Sequence, residues 1–124
     1  KYGRLTRRPI FVPSVGNFRQ GMLISVPLHL DTLSGSPKIA DLEAALRKHF
    51  AGSSLVKVIA QDDPSSKGGR LEAESLNGTD VLELRVFGSD TLGQAVLVAK
   101  LDNLGKGASG AAVQSIGLML GVRV

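Results

Sequence analysis

The stretch Gly93-Gln94-Ala95-Val96-Leu97-Val98-Ala99-Lys100-Leu101 puts Ala95, Leu97, Ala99 and Leu101 on one side of an extended chain and Val96 and Val98 on the other, because successive strand side chains alternate in direction. A strand apolar on both sides must be covered on both, so this run belongs in the middle of a sheet. Working outward, Leu71–Leu76 and Val81–Phe87 flank Asn77-Gly78, a pair that favours a two-residue hairpin turn because both positions tolerate positive φ. Leu55–Ala60 reads as a further strand, followed by an exposed loop over Gln61–Gly69 with Pro64 and the Gly68-Gly69 pair. Gly21–Leu30 alternates with Ile24, Val26, Leu28 and Leu30 on one side and Leu23, Ser25, Pro27 and His29 on the other. Pro27 places that strand near a sheet edge or a bulge. Pro9-Ile10-Phe11-Val12 is a shorter β-prone run, joined to it by the polar loop Ser14–Gln20.

Two segments carry helical spacing. Ile39, Leu42, Leu46 and Phe50 recur at intervals of three and four until Gly52, with Ser36 as N-cap and Pro37 in the first turn. Gly107–Leu120 puts Ala112, Ile116, Met119 and Leu120 on one stripe, and its small-residue start (Gly107, Ala108, Ser109, Gly110, Ala111, Ala112) lets another backbone approach closely. Strands and helices in this order predict an α+β fold with a mainly antiparallel or mixed sheet flanked by helices.

The 124 residues form one domain, residues 1–124, with 15 Lys+Arg against 11 Asp+Glu, a net charge of +4 and a pI near 9.8. The absence of cysteine removes thiolate catalysis, disulfides and cysteine-ligated zinc, and two histidines twenty positions apart leave little for a metal site. No window approaches the roughly 18 consecutive apolar residues of a membrane span, and the basic start has no apolar signal core. The expectation is a cytoplasmic chain without membrane or nucleic-acid partners. Lys1, Arg4, Arg7 and Arg8 could meet phosphates, but one Tyr, four Phe and no Trp offer little for base stacking. A chain that begins on Lys1, directly in a basic stretch, points to a piece of a longer polypeptide.

Gly105-Lys106-Gly107-Ala108-Ser109-Gly110 matches G-x-G-x-x-G between a strand and a helix. A dinucleotide fold needs a second parallel strand and an acidic residue about 20 positions on, whereas the residues after Gly110 include no acid. What remains is a helix start whose N–H groups, beside Lys106, could face an anion or a carboxamide; close helix packing explains the glycines equally. Glu72 and Glu74 share a face of their expected strand, yet they flank the expected hairpin turn, where charged residues meet water. His29 has the chemistry of a general base, but a histidine alternating with apolar residues is as readily structural. Ser14 has no evident His and Asp partners for a serine nucleophile.

Two blocks together resemble the N-acetyl-gamma-glutamyl-phosphate reductase family, in its shorter, second branch. They are Arg8-Pro9-Ile10-Phe11-Val12-Pro13-Ser14-Val15-Gly16-Asn17-Phe18-Arg19-Gln20-Gly21-Met22 with Val26-Pro27-Leu28-His29-Leu30, and Leu101-Asp102-Asn103-Leu104-Gly105-Lys106-Gly107-Ala108-Ser109-Gly110-Ala111-Ala112-Val113-Gln114. The resemblance implies the C-terminal catalytic and dimerisation domain shared by glyceraldehyde-3-phosphate and semialdehyde dehydrogenases. It implies reduction of N-acetyl-gamma-glutamyl phosphate to N-acetylglutamate 5-semialdehyde and phosphate in arginine biosynthesis, with NADP as cofactor and a cysteine nucleophile upstream. It also implies a homo-oligomer, dimer or tetramer, with the terminal helix 105–121 packed on an N-terminal dinucleotide-binding domain. Ser14 occupies the position at which many members carry an acid/base histidine, so Ser14 and His29 become the candidate catalytic residues. Asn17, Arg19 and Gln20 become candidate substrate contacts, Arg19 because a guanidinium forks onto oxyanions. Asn103, Lys106 and Gly107 become candidate cofactor contacts, although Asn103 also suits a helix cap. The competing reading is a non-catalytic anion-binding or oligomerisation domain.

Overall fold

The computed structural model describes residues 8–122, the side chain of Lys67 excepted. The central strand is where its two-sided apolar pattern requires: β4 (Gln94–Leu101) lies between β1 (Met22–His29) and β3 (Leu82–Ser89), and β2 (Val56–Val58) closes the far edge in the order β1-β4-β3-β2. β1 and β3 both run antiparallel to β4, while β2 runs parallel to β3. The sheet is therefore mixed and mainly antiparallel, and Pro27 lies on the edge strand β1, where a missing N–H need not break a central ladder.

Register sorts the side chains into two faces. Ile24, Ala99 and Leu84 align across one face, as do Val26, Leu97 and Val86. Over that face lies α1 (Ile39–His49), whose Ile39, Leu42 and Leu46 join Leu30, Val86 and Ala95 in the apolar core. The opposite face carries Glu83, Arg85 and Lys100, covered by the connection between β2 and β3. Arg85 donates to the Ser66 and Ser65 hydroxyls and pairs with Glu83 at 3.1 Å, while Lys100 reaches Glu83 at 2.9 Å and the Ser75 hydroxyl at 2.8 Å.

Three local expectations are corrected. Pro9–Val12 forms no strand, and Leu71–Leu76 is irregular chain running into turns from Ala73 rather than half of a hairpin. β3 is already paired on both sides, by β2 and β4, so a strand at 71–76 has no free ladder to join. The hairpin joins β3 to β4 instead, closed by the Gly93 N–H donating to the Asp90 carbonyl, with Gly93 at φ 62°. At the start of α1, Ser36 and Pro37 stay outside the helix; the Asp41 carboxylate accepts from the Lys38 N–H and the Asp90 carboxylate accepts from the Ile39 N–H. The last helix, α2 (Gly110–Leu120), is entered through a π-helical turn over Gly105–Ser109.

Candidate functional site

The loop before β1, the turns 71–74 and the end of β4 meet around a cleft of about 720 Å³, within the size range of small-molecule sites. Ser14, Arg19 and Gln20 border it on one side, Leu71–Glu74 on another, and Asn103 stands where β4 gives way to the π turn. Gly21 closes the corner between the walls. Its φ is 113°, and a Cβ there would lie 2.5 Å from the Ala73 carbonyl oxygen, so the approach of the two segments requires glycine.

The walls are joined by side-chain to backbone hydrogen bonds. Asn103 Oδ1 accepts from the Gly21 N–H at 2.7 Å, and Asn77 Nδ2 donates to the Gln20 carbonyl at 3.1 Å. Asp102, 2% exposed, accepts from the Gln20 amide and from the N–H groups of Gly78, Leu104 and Gly105. Those backbone donors, Gly105 first, hold its carboxyl below its ordinary range.

The structure brings together Ser14, Arg19, Gln20 and Asn103 of the sequence candidates. Asn17 lies in the same loop but does not line the cleft. His29 ends β1 at the opposite end from Met22, about 23 Å along the strand, where its carbonyl accepts from the Thr32 hydroxyl; the fold does not bring it to Ser14. Lys106 and Gly107 lie in the π turn, with Lys106 Nζ donating to Gln114 Oε1 at 2.6 Å. Sequence reasoning passed over Asp102 and set aside Glu72 and Glu74. Asp102 had a visible signal: an aspartate at a strand end followed by Asn-Leu-Gly favours side-chain to backbone turns. Glu72 and Glu74 line the cleft because the hairpin expected around them does not form.

The G-x-G-x-x-G segment is not a phosphate cradle. The Gly107 N–H donates to the Asp102 carbonyl, the Ser109 N–H to the Leu104 carbonyl and the Gly110 N–H to the Gly105 carbonyl. A Cβ at Gly110 would meet the Asp80 carboxylate and one at Gly105 would lie 3.1 Å from the Thr79 carbonyl, so these glycines serve close packing against Thr79 and Asp80 of this same chain. Among the described residues no group of three or more His, Cys, Asp or Glu side chains could hold a metal, and no helix is long and apolar enough to cross a membrane.

Residues 1–103 match the family described as semialdehyde dehydrogenase, dimerisation domain. The chain belongs to that family. The dimerisation domain is also 56% identical over 120 residues to proteins named N-acetyl-gamma-glutamyl-phosphate reductase from Brucella ovis, Brucella canis and Brucella abortus. The match covers 97% of this chain and 38% of each relative, so the chain spans well under half the length of the curated relatives it matches. The α+β fold with its mixed sheet agrees with membership of the dimerisation-domain family.

Proposed function

We propose that this dimerisation domain is the substrate-binding and oligomer-forming part of an NADP-dependent reductase that converts N-acetyl-gamma-glutamyl phosphate to N-acetylglutamate 5-semialdehyde and phosphate. The observation that carries the reading is the cleft itself: both blocks that resemble the reductases fold to its rim through Ser14, Arg19 and Gln20 of the first and Asn103 of the second, positions far apart in sequence. The 56% identity to proteins of that name supports the same reading.

The residues present fit only one end of a nicotinamide dinucleotide. The N–H groups of Gly105, Gly107, Ser109 and Gly110 are spent within the chain, which leaves no continuous row of donors for the cofactor's phosphates, so these need residues from elsewhere. Asn103 suits the other end: its Oδ1 is held by Gly21, which leaves the amide Nδ2 to donate to a carboxamide oxygen. The cofactor would supply hydride. In this reading Arg19 binds the phosphate or carboxylate of the substrate through a forked guanidinium contact, and the Ser14 hydroxyl lies on the route by which a proton reaches the developing alkoxide. The nucleophilic cysteine and the dinucleotide-binding domain belong to sequence outside residues 1–124. An α2 that packs on the dinucleotide-binding domain fits this arrangement, because Leu118 is 84% and Met119 86% exposed in residues 8–122.

The test is phosphate-dependent reduction of NADP with N-acetylglutamate semialdehyde, comparing residues 1–124 with a chain extended upstream to the length of the relatives. Turnover by the longer chain alone is the expected result, together with a weaker response to NAD. Absence of turnover in the longer chain would remove the substrate assignment, and turnover by the cysteine-free chain would remove the upstream nucleophile.

A further inference from the structure

Asp102 divides its two oxygens between different parts of the molecule. Oδ1 accepts the N–H groups of Leu104 at 2.8 Å and Gly105 at 3.1 Å, both in its own loop. Oδ2 accepts the Gln20 side-chain amide at 3.0 Å and the Gly78 N–H at 2.7 Å, donors that lie 82 and 24 residues away in sequence. Among the described residues no cation pairs with it. Its charge is balanced by four N–H dipoles from three segments, and the fit is tight on its own loop, where a Cβ on Gly105 would lie 3.1 Å from Oδ2. The first segment carries Ser14, Arg19 and Gln20, the second is the turn that Asn77 ties back to Gln20, and the third carries Asn103 and opens the π turn into α2.

We infer that Asp102 is a positioning residue that locks the substrate-side loop 14–21 to the cofactor-side turn 103–109, so that the two halves of the cleft move as one. This deepens the reductase reading and rests on it for the roles of the two sides. The geometry makes the effect of Asp102→Asn specific. The amide oxygen can keep the local pair, Leu104 and Gly105. The amide nitrogen must then face the Gly78 N–H, a donor against a donor, while the Gln20 side chain can turn to offer its oxygen.

The experiment uses the chain extended to the length of the relatives and reads both amide hydrogen exchange and kinetics. For Asp102→Asn, protection is lost at Gly78 and reduced at Gly21 but kept at Gly105, and KM rises for both the acyl substrate and the cofactor. The combined loss in kcat/KM is on the order of tenfold to a hundredfold, the scale of a small misplacement of bound groups. Gln20→Met cuts the link between Asp102 and the substrate loop and leaves the other three bonds to Asp102, so protection falls at Gly21 and stays at Gly78 and Gly105, while KM for the cofactor stays constant. If Asp102→Asn left Gly78 and Gly21 protected and both KM values within twofold, or if Gln20→Met moved both KM values equally, the coupling would be overturned. If the unsubstituted chain proved inactive, the reductase reading would fail, and the exchange pattern at Gly78, Gly21 and Gly105 would still decide whether Asp102 holds the two sides together.

Discussion

At the scale of single residues, the candidate site depends on one glycine as much as on any charged group. Gly21 lies in a region of backbone space that L side chains avoid, and its missing Cβ is what lets Ala73 come within contact of the loop that carries Arg19. Gly21→Ala therefore combines backbone strain with a clash against a carbonyl that cannot swing away, for an expected loss of about 2 kcal/mol. Chemical denaturation would read that loss, and in the extended chain the acyl-substrate KM should rise because the wall formed by 71–74 is pushed outward. Arg19→Lys tests the other requirement of the cleft. A lysine keeps the charge but not the fork, so the expected outcome is a rise in KM for the anionic substrate on the order of tenfold, with stability unchanged because Arg19 is exposed and makes no ion pair among the described residues.

At the scale of elements, the sheet carries an ion cluster that its strand pattern half concealed. Glu83, Arg85 and Lys100 sit on the face that the β2–β3 connection covers, and with Ser65, Ser66 and Ser75 they fasten that connection down, including the 71–74 wall of the cleft. Burial works to raise the Glu83 carboxyl, but hydrogen bonds from Lys100 and then Arg85 outweigh it and hold the group below its ordinary 4.5. A carboxyl lowered in the folded state adds stability above its unfolded pKa and loses it as pH falls through the lower folded value. The denaturation midpoint should thus hold from pH 7 to about pH 5 and drop below that, and Glu83→Gln should flatten the drop. Lys100→Met removes one buried partner and should cost on the order of 3 kcal/mol; a cost near zero in an equilibrium unfolding experiment would show the cluster to be incidental. The same elements show what a sequence can and cannot disclose. β4 was legible because alternation on both faces is a local signal, and α1 because its spacing is. The Asn77-Gly78 turn misled because its partner is long-range: Asn77 keeps a negative φ, Gly78 alone goes positive at 74°, and the Gly78 N–H goes to Asp102 rather than across a hairpin. The start of α1 misled in the same way, since the Asp90 carboxylate that caps Ile39 arrives from a hairpin 51 residues on. Of the cleft, Ser14, Arg19, Gln20 and Asn103 were legible through resemblance, whereas Glu72 and Glu74 reach it only because their segment fails to become a strand.

At the scale of the whole molecule, the chain shows far more surface than its size calls for. Its accessible surface is 9437 Å², whereas a compact monomer of 13.0 kDa presents roughly 6,300 Å². The excess is several times the roughly 800 Å² that one partner contributes to a standard interface. Part of it is the extended segment around Ile10, 92% exposed, and Phe11, 85% exposed. Another part is α2, which touches the rest of the chain mainly through the π turn and leaves Ile116, Leu118, Met119 and Leu120 uncovered. A further part is the outer half of the sheet, where Ile24 and Val26 stay about half exposed on the edge strand. Such a surface is that of a domain designed to be covered, and the two cover types separate experimentally. If α2 packs on a dinucleotide-binding domain, its amides should exchange within seconds to minutes in residues 1–124 and be strongly protected in the chain extended to the length of the relatives, because an 11-residue helix is marginal without tertiary support. If β1 and its sheet face instead meet a second copy, Val26→Lys should shift the extended chain toward monomer in sedimentation while leaving the protection of α2 intact. Equal loss of α2 protection and of dimer in the Val26→Lys variant would mean that a single interface covers both surfaces, and the separation of the two roles argued from the fold would fall.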